Sequence, residues 1–333
     1  ELYSLIDFRG STGTGRPDMD RAPADARPFI DTGVFAFEYP TDPAAVQATG
    51  MRLRFIDAQY ISSTVYGGTT MGGNRTFFGV NFADGRIKGY PADRGPRGWY
   101  LKLVRGPTDY GRNEFADKGD GTVADRATGL TWMQADSGDA AFRPLWSATR
   151  MGDGRMDWPE ALAFCHALPL AGGGWRLPSA KELQGLVDYS RSPQATRSAA
   201  LDPVFRATRI IDEAGKADWP AYWTATTHLD GPVPAAGAVI VHFGEALGAP
   251  QFGMGGGPMG GPPGGGRGMG GPGMGRGPTG GGQPPASAII DVHGAGAQRS
   301  DPKVATLGET FPQWGRGPQG DVRRVYNHVR CVR

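Results

Sequence analysis

Glu182-Leu-Gln-Gly-Leu-Val-Asp-Tyr189 reads like Glu1-Leu-Tyr-Ser-Leu-Ile-Asp-Phe8, and further matches follow in the same order along the chain. Phe29-Ile-Asp31 answers Ala200-Leu-Asp202, and Ala58-Gln-Tyr60-Ile-Ser-Ser-Thr64 answers Pro220-Ala-Tyr222-Trp-Thr-Ala-Thr226. Phe78-Gly-Val-Asn-Phe82 answers Val239-Ile-Val-His-Phe243, and Leu101-Lys-Leu-Val-Arg105 answers Val329-Arg-Cys-Val-Arg333. Matches in one order mean that one unit is present twice. The second copy has an opening, from Phe115 onward, that the first lacks. The expected layout is therefore residues 1–106 as the C-terminal part of a first unit, 107–114 as a linker, and 115–333 as a complete second unit.

Local signals give each part of the second unit a form. Around Gly119-Asp-Gly121 the residues up to Trp132 alternate and read as a β-hairpin. Asp157 with Glu160, and Pro159 near the first helical position, make a capped start to a helix over Trp158–Leu168, whose Trp158, Leu162, Cys165 and Leu168 share a face. Gly172-Gly-Gly-Trp-Arg-Leu-Pro178 is a turn into an extended piece. Ser179 with Glu182 is a second capping box, predicting a helix from Ala180 to Tyr189. The remainder, from Tyr222 on, is strand-like and loop-rich, so the fold class is α+β: two helices plus twisted antiparallel sheets.

In the second copy Glu182 is the third residue of a helix. Its match, Glu1, would then start mid-turn without an N-cap, which costs about 1 kcal/mol. The expectation is that the chain is a fragment or processed product, whose missing half unit is either supplied by another chain or simply unseen.

Composition bounds the function. The 333 residues carry 35 Lys+Arg against 33 Asp+Glu, a balance that gives no electrostatic reason for a nucleic-acid partner. The 55 Gly and 28 Pro would suit a disordered chain, but 39% apolar residues and 8 Trp would not. The excess is concentrated in Gly248–Pro285, which holds 19 Gly, 8 Pro, Met254, Met259, Met269 and Met274. This stretch lacks the strict three-residue period of collagen and interrupts the second unit as an insertion. Ordering it would take contacts from neighbouring subunits. No apolar run approaches the roughly 20 residues that span a bilayer, and Glu1–Gly10 is not a signal peptide. Two cysteines, Cys165 and Cys331, have no CxxC spacing, which leaves either a disulfide or two buried thiols.

The motifs Asp120-Gly-Thr-Val-Ala-Asp-Arg-Ala-Thr-Gly-Leu-Thr-Trp132, Ala161-Leu-Ala-Phe-Cys165, Trp175-Arg-Leu-Pro-Ser-Ala-Lys-Glu-Leu183, Tyr222-Trp-Thr-Ala-Thr226 and Val329-Arg-Cys-Val-Arg333 together resemble one family. It is the bacterial secreted-domain family of the Legionella collagen-like adhesin C-terminal (Lcl C-terminal) domain. The resemblance implies a C-type-lectin-like fold in one and a half copies, an extracellular or cell-surface location, and a Cys165–Cys331 disulfide. A cross-link closing so long a loop stabilises by about 5 kcal/mol on the chain-entropy model. It also implies adhesion or glycan binding without catalysis. A structural subunit of a self-associating fibre or sheath is the alternative. Formylglycine-generating enzymes have a related fold, but they need a reactive cysteine pair or metal-binding thiols, and the resemblance assigns both cysteines to a bridge.

Candidate site residues follow from chemistry. Asp117, Asp120 and Asp125 would offer hard oxygens to Ca²⁺, although Gly119-Asp-Gly121 is equally what a hairpin turn uses. His166, His228, His242, His293 and His328 form no HExxH or i, i+4 pair. In the stretch from His293 to Asp301, glycines would let backbone approach a ligand, and Gln298, Arg299 and Asp301 would grip hydroxyls or anions. The plain alternative is a tight loop satisfying its own backbone. Trp132, Trp158, Trp175 and Trp223 sit inside motifs and read as core, whereas Trp146, Trp219 and Trp314 lie between motifs and suit sugar stacking.

Overall fold

The computed structural model describes residues 1–15, 19–40, 53–93, 98–231, 233–250, 284–317 and 319–333. Most of the glycine-rich insertion, including its four methionines, lies outside the described residues. The first strands are β1 (Gln59–Thr70), β2 (Asn74–Asn81) and β3 (Arg86–Pro91), followed by β4 (Phe115–Asp117), β5 (Thr122–Asp125) and β6 (Leu130–Met133). Helices α1 (Trp158–Ala167) and α2 (Ala180–Gln184) come next. After them lie β7 (Ile210–Ile211), β8 (Ala217–Asp218), β9 (Ala221–His228), β10 (Gly237–His242) and β11 (Leu247–Gly248). The last strands are β12 (Ile290–Asp291), β13 (Gln298–Pro302), β14 (Gln313–Arg316) and β15 (Asp321–Arg323). The architecture is α+β, with few helices and antiparallel strand pairing throughout these elements.

One six-stranded sheet, ordered β1-β2-β3-β13-β10-β9, spans both halves of the chain. Its two halves, β1-β2-β3 and β13-β10-β9, each hold three antiparallel strands, and they meet where Ile87 of β3 faces Gln298 of β13. The matched residues make matched bonds. Asp7 N donates to Phe29 O as Asp188 N donates to Ala200 O, and Phe29 N donates to Phe82 O as Ala200 N donates to Phe243 O. The rings of Tyr60 and Phe82 lie 5.0 Å apart, and those of Tyr222 and Phe243 lie 5.2 Å apart. Tyr60 bridges Tyr100 in parallel, as Tyr222 bridges His328. Lys102 stands over the Tyr60 and Phe35 rings where Arg330 stands over those of Tyr222 and Phe205.

Both capping boxes form, at Asp157 with Glu160 and at Ser179 with Glu182. The first helix buries Ala161, Phe164 and Cys165 against Trp223 and Ile240. The second is shorter than the spacing predicts. It stops at Gly185, because Leu186 is needed in the core and Val187 pairs in extended form with Leu201. Cys165 and Cys331 form a disulfide, with Cα atoms 5.6 Å apart, inside the cluster under α1. Among the described residues, no helix is long and apolar enough to cross a membrane.

Candidate functional site

The stretch from His293 to Asp301 is not an exposed loop. Its second half is strand β13 in the middle of the large sheet, and His293, Gln298, Arg299 and Asp301 are all buried. Their polar groups are used within the fold. Gln298 Nε2 donates to Gly85 O at 2.7 Å, Asn327 Nδ2 donates to Asp301 at 3.0 Å, and Asp321 receives both His293 Nε2, at 2.8 Å, and Arg299. Burial alone would raise Asp321, but Arg299 and His293 hold it well below the ordinary carboxylate range. Burial pushes His293 down to about 3, so its ring is neutral at physiological pH. The reason is geometric: once six strands join, Gln298 meets the first half at Gly85, while Asp321 and Asn327 of the second half cover His293, Arg299 and Asp301.

The three hairpin carboxylates are occupied as turn acceptors. Asp117 accepts from Gly119 N and Gln134 Nε2, both at 2.8 Å, and Asp120 accepts from Thr122 N and Oγ1. Asp125 takes Glu114 N, Ala127 N and Thr128 Oγ1. Among the described residues no group of three His, Cys, Asp or Glu is placed to hold a metal ion. Trp146 is buried in the core beneath α1, and Trp314 packs on the small cluster of Leu247, Ile289 and Val322. Of the three inter-motif tryptophans, Trp219 lines an open cleft.

That cleft, of about 440 Å³, lies between the β7–β8 hairpin, the end of β10, and the segment Arg324–His328. Gly215, at φ +77°, turns the hairpin. Asp212 closes it, accepting from Ala214 N at 2.9 Å and Lys216 N at 2.7 Å through Oδ1. Its other oxygen, Oδ2, is buried in the cleft wall with no hydrogen-bond partner. Beyond the hairpin, Asp218 accepts Glu245 N at 3.0 Å. Gly244 permits this approach, since a Cβ there would stand 2.5 Å from Asp218 Oδ1. Burial, reinforced by Glu245 and Asp212, raises Asp218 to about 8. Burial also raises Glu245, with Asp212 adding to it.

On the opposite wall Arg324 forms a two-pronged pair with Glu213, at 2.6 and 2.5 Å. Arg155 pairs with Asp153 at 2.6 Å. Asp212, Asp218 and Glu245 form no such pair among the described residues. The Arg209 guanidinium covers one face of Trp219 at 5.1 Å, and Tyr326 also lines the cleft. The wall thus combines the Asp212 carboxylate, with its Oδ2 unpartnered, a carboxyl at Asp218 that stays protonated near neutrality, and two aromatic rings. Such a set accepts and donates hydrogen bonds to hydroxyls and attracts a protonated amine.

Residues 121–255 match the family model of the Lcl C-terminal domain. The Lcl match takes in β5 through β11, hence Asp212, Asp218, Trp219 and Glu245, and ends before Arg324–His328 closes the cleft. No curated protein and no solved structure matches the chain. The cleft carboxylates escape the linear reading because Asp212, Asp218 and Glu245 belong to no spaced motif. The one available signal was the Asp-Glu-Ala-Gly-Lys turn at 212–216, which reads as an ordinary hairpin.

Proposed function

We propose that this protein is an extracellular, non-enzymatic surface protein of the adhesin type that holds a hydroxyl-rich or amine-bearing glycan in the Asp212–Asp218–Glu245 cleft. The observation that carries the reading is the buried, unpartnered Oδ2 of Asp212 in the wall of an open cleft. A buried carboxylate oxygen without a partner is costly, and a ligand hydroxyl or ammonium would satisfy it. The Lcl match supports the adhesin class. The fold that accompanies the reading is one and a half C-type-lectin-like units, the repeat being supported by the matched bonds in the two halves.

A glycan array with the purified chain, repeated with Asp212→Asn, tests the proposal. Neutral or amino-sugar hits that the variant loses are the expected outcome. An array with no hits, or hits that Asp212→Asn leaves intact, overturns the cleft assignment and leaves a structural subunit with no ligand of its own.

A further inference from the structure

The strand that closes the second half of the chain is enclosed on both sides, and its match in the first half is not. Val329, Cys331 and Val332 are fully buried. Thr131 and Arg333 exchange backbone bonds at 2.8 and 2.9 Å, Met133 N donates to Cys331 O at 3.1 Å, and Arg176 and Val332 exchange bonds at 2.9 Å. Cys331 is tied to α1 through Cys165, and the Arg333 guanidinium lies over Trp175 while Nη1 bonds Ala171 O and Gly173 O.

In the first half the inner side is built alike. Tyr100 N donates to Gln59 O, Ile61 N donates to Tyr100 O, and Lys102 covers Tyr60 as Arg330 covers Tyr222. The outer side differs. Leu101, Leu103 and Val104 are 62, 89 and 71% exposed, and no backbone bond joins 101–105 to a described residue. The apolar and basic pattern is nonetheless the same, Leu-Lys-Leu-Val-Arg against Val-Arg-Cys-Val-Arg. An exposed apolar segment with free backbone groups, running on from the Tyr60–Tyr100 bridge, is a template for strand addition.

We propose that Leu101–Arg105 is the docking segment for a β-hairpin followed by a capped helix, of the kind this chain forms at residues 115–167. The second half states the chemistry of that partner. It presents a strand with alternate donors and acceptors, as Thr131 and Met133 do for 331–333. It covers Leu103 with an apolar helix face where Cys165 meets Cys331, and it offers Arg105 a tryptophan face and turn carbonyls, as Trp175, Ala171 and Gly173 do for Arg333. A second copy of this chain is not the donor, because its own hairpin and helix are held on its own Val329–Arg333 by the disulfide and the exchanged bonds. Symmetric pairing of two 101–105 strands would also bring Lys102 and Arg105 against like charges.

The test adds a fluorescent synthetic peptide copying residues 115–136 to the purified full chain. Expected are saturable binding by anisotropy, slower amide exchange confined to 99–105, and affinity weakened at least about tenfold by Leu103→Asp with Val104→Asp. Both side chains are exposed enough for that variant to fold. A second measurement uses Leu103→Cys, whose thiol is the single free one beside the Cys165–Cys331 bridge. Its maleimide reaction is expected at least about tenfold slower on the cells that produce the protein than on the purified chain. Absence of peptide binding, binding indifferent to the double variant, or equal thiol rates overturns the proposal. Concentration-dependent dimerisation abolished by the double variant would place a second copy on the strand and overturn the stated occupant. None of these outcomes depends on the glycan cleft.

Discussion

Leu101–Arg105 and Val329–Arg333 share a pattern, an inner partner and a cation over a tyrosine ring, yet one is among the most exposed apolar segments of the protein and the other among the most buried. The difference lies entirely in what covers them. In the second half a three-stranded hairpin, Arg176 and helix α1 lie over the strand. In the first half no described residue bonds to its outer side. Burial here is a property of the neighbours a strand is given, not of its own residues.

The largest expected effect sharpens this comparison through the disulfide. Replacing Cys165 and Cys331 by Ala is expected to cost about 3–5 kcal/mol in urea unfolding, because the covalent closure and the buried sulfur packing are lost together. Full retention of stability would mean that the cover over 329–333 holds without its staple. The next pair of substitutions sets the two matched cations against each other. Arg330 is fully buried and donates to the carbonyls of Met133, Gln134 and Arg206, so Arg330→Ala is expected to cost about 3 kcal/mol or more. Lys102 donates to Ala36 O from a half-buried position, and Lys102→Ala is expected to cost less than about 1 kcal/mol. Equal costs would break the claim that cover makes the difference.

The cleft gives a pH signature of intermediate size. Asp218 lies near 8 in the folded chain, above its ordinary 3.8. A raised carboxylate favours the fold at low pH, and that contribution is lost as pH rises through the folded value. Asp218→Asn removes the titration while keeping an acceptor for Glu245 N. Its Tm is therefore expected to match the parent near pH 4 and exceed it near pH 8.5, by an amount on the order of 2 kcal/mol in stability. A difference that shrinks with rising pH would reverse the assignment of strain to Asp218. The smallest expected effect returns to the open strand: Leu103→Ala is expected to change stability by less than about 0.5 kcal/mol, checked by the same urea transition.

The sequence by itself determined the local forms and the internal match. Glycines at Gly119 and Gly121 turn the hairpin, and capping boxes (Asp157 with Glu160, Ser179 with Glu182) start both helices, because these signals act within a few residues and carry their own physics. The repeated motifs gave the equivalences that matched bonds now occupy. Only the tertiary structure decided which polar residues face water. His293, Gln298, Arg299 and Asp301 look free in a loop, but β13 joins the two halves at the centre of one sheet and turns them inward. Asp212, Asp218 and Glu245 look unrelated along the chain, but a glycine-permitted approach at Gly244 brings them to one cleft. Burial and electrostatic coupling depend on contacts between residues far apart in sequence, and no local pattern encodes those contacts.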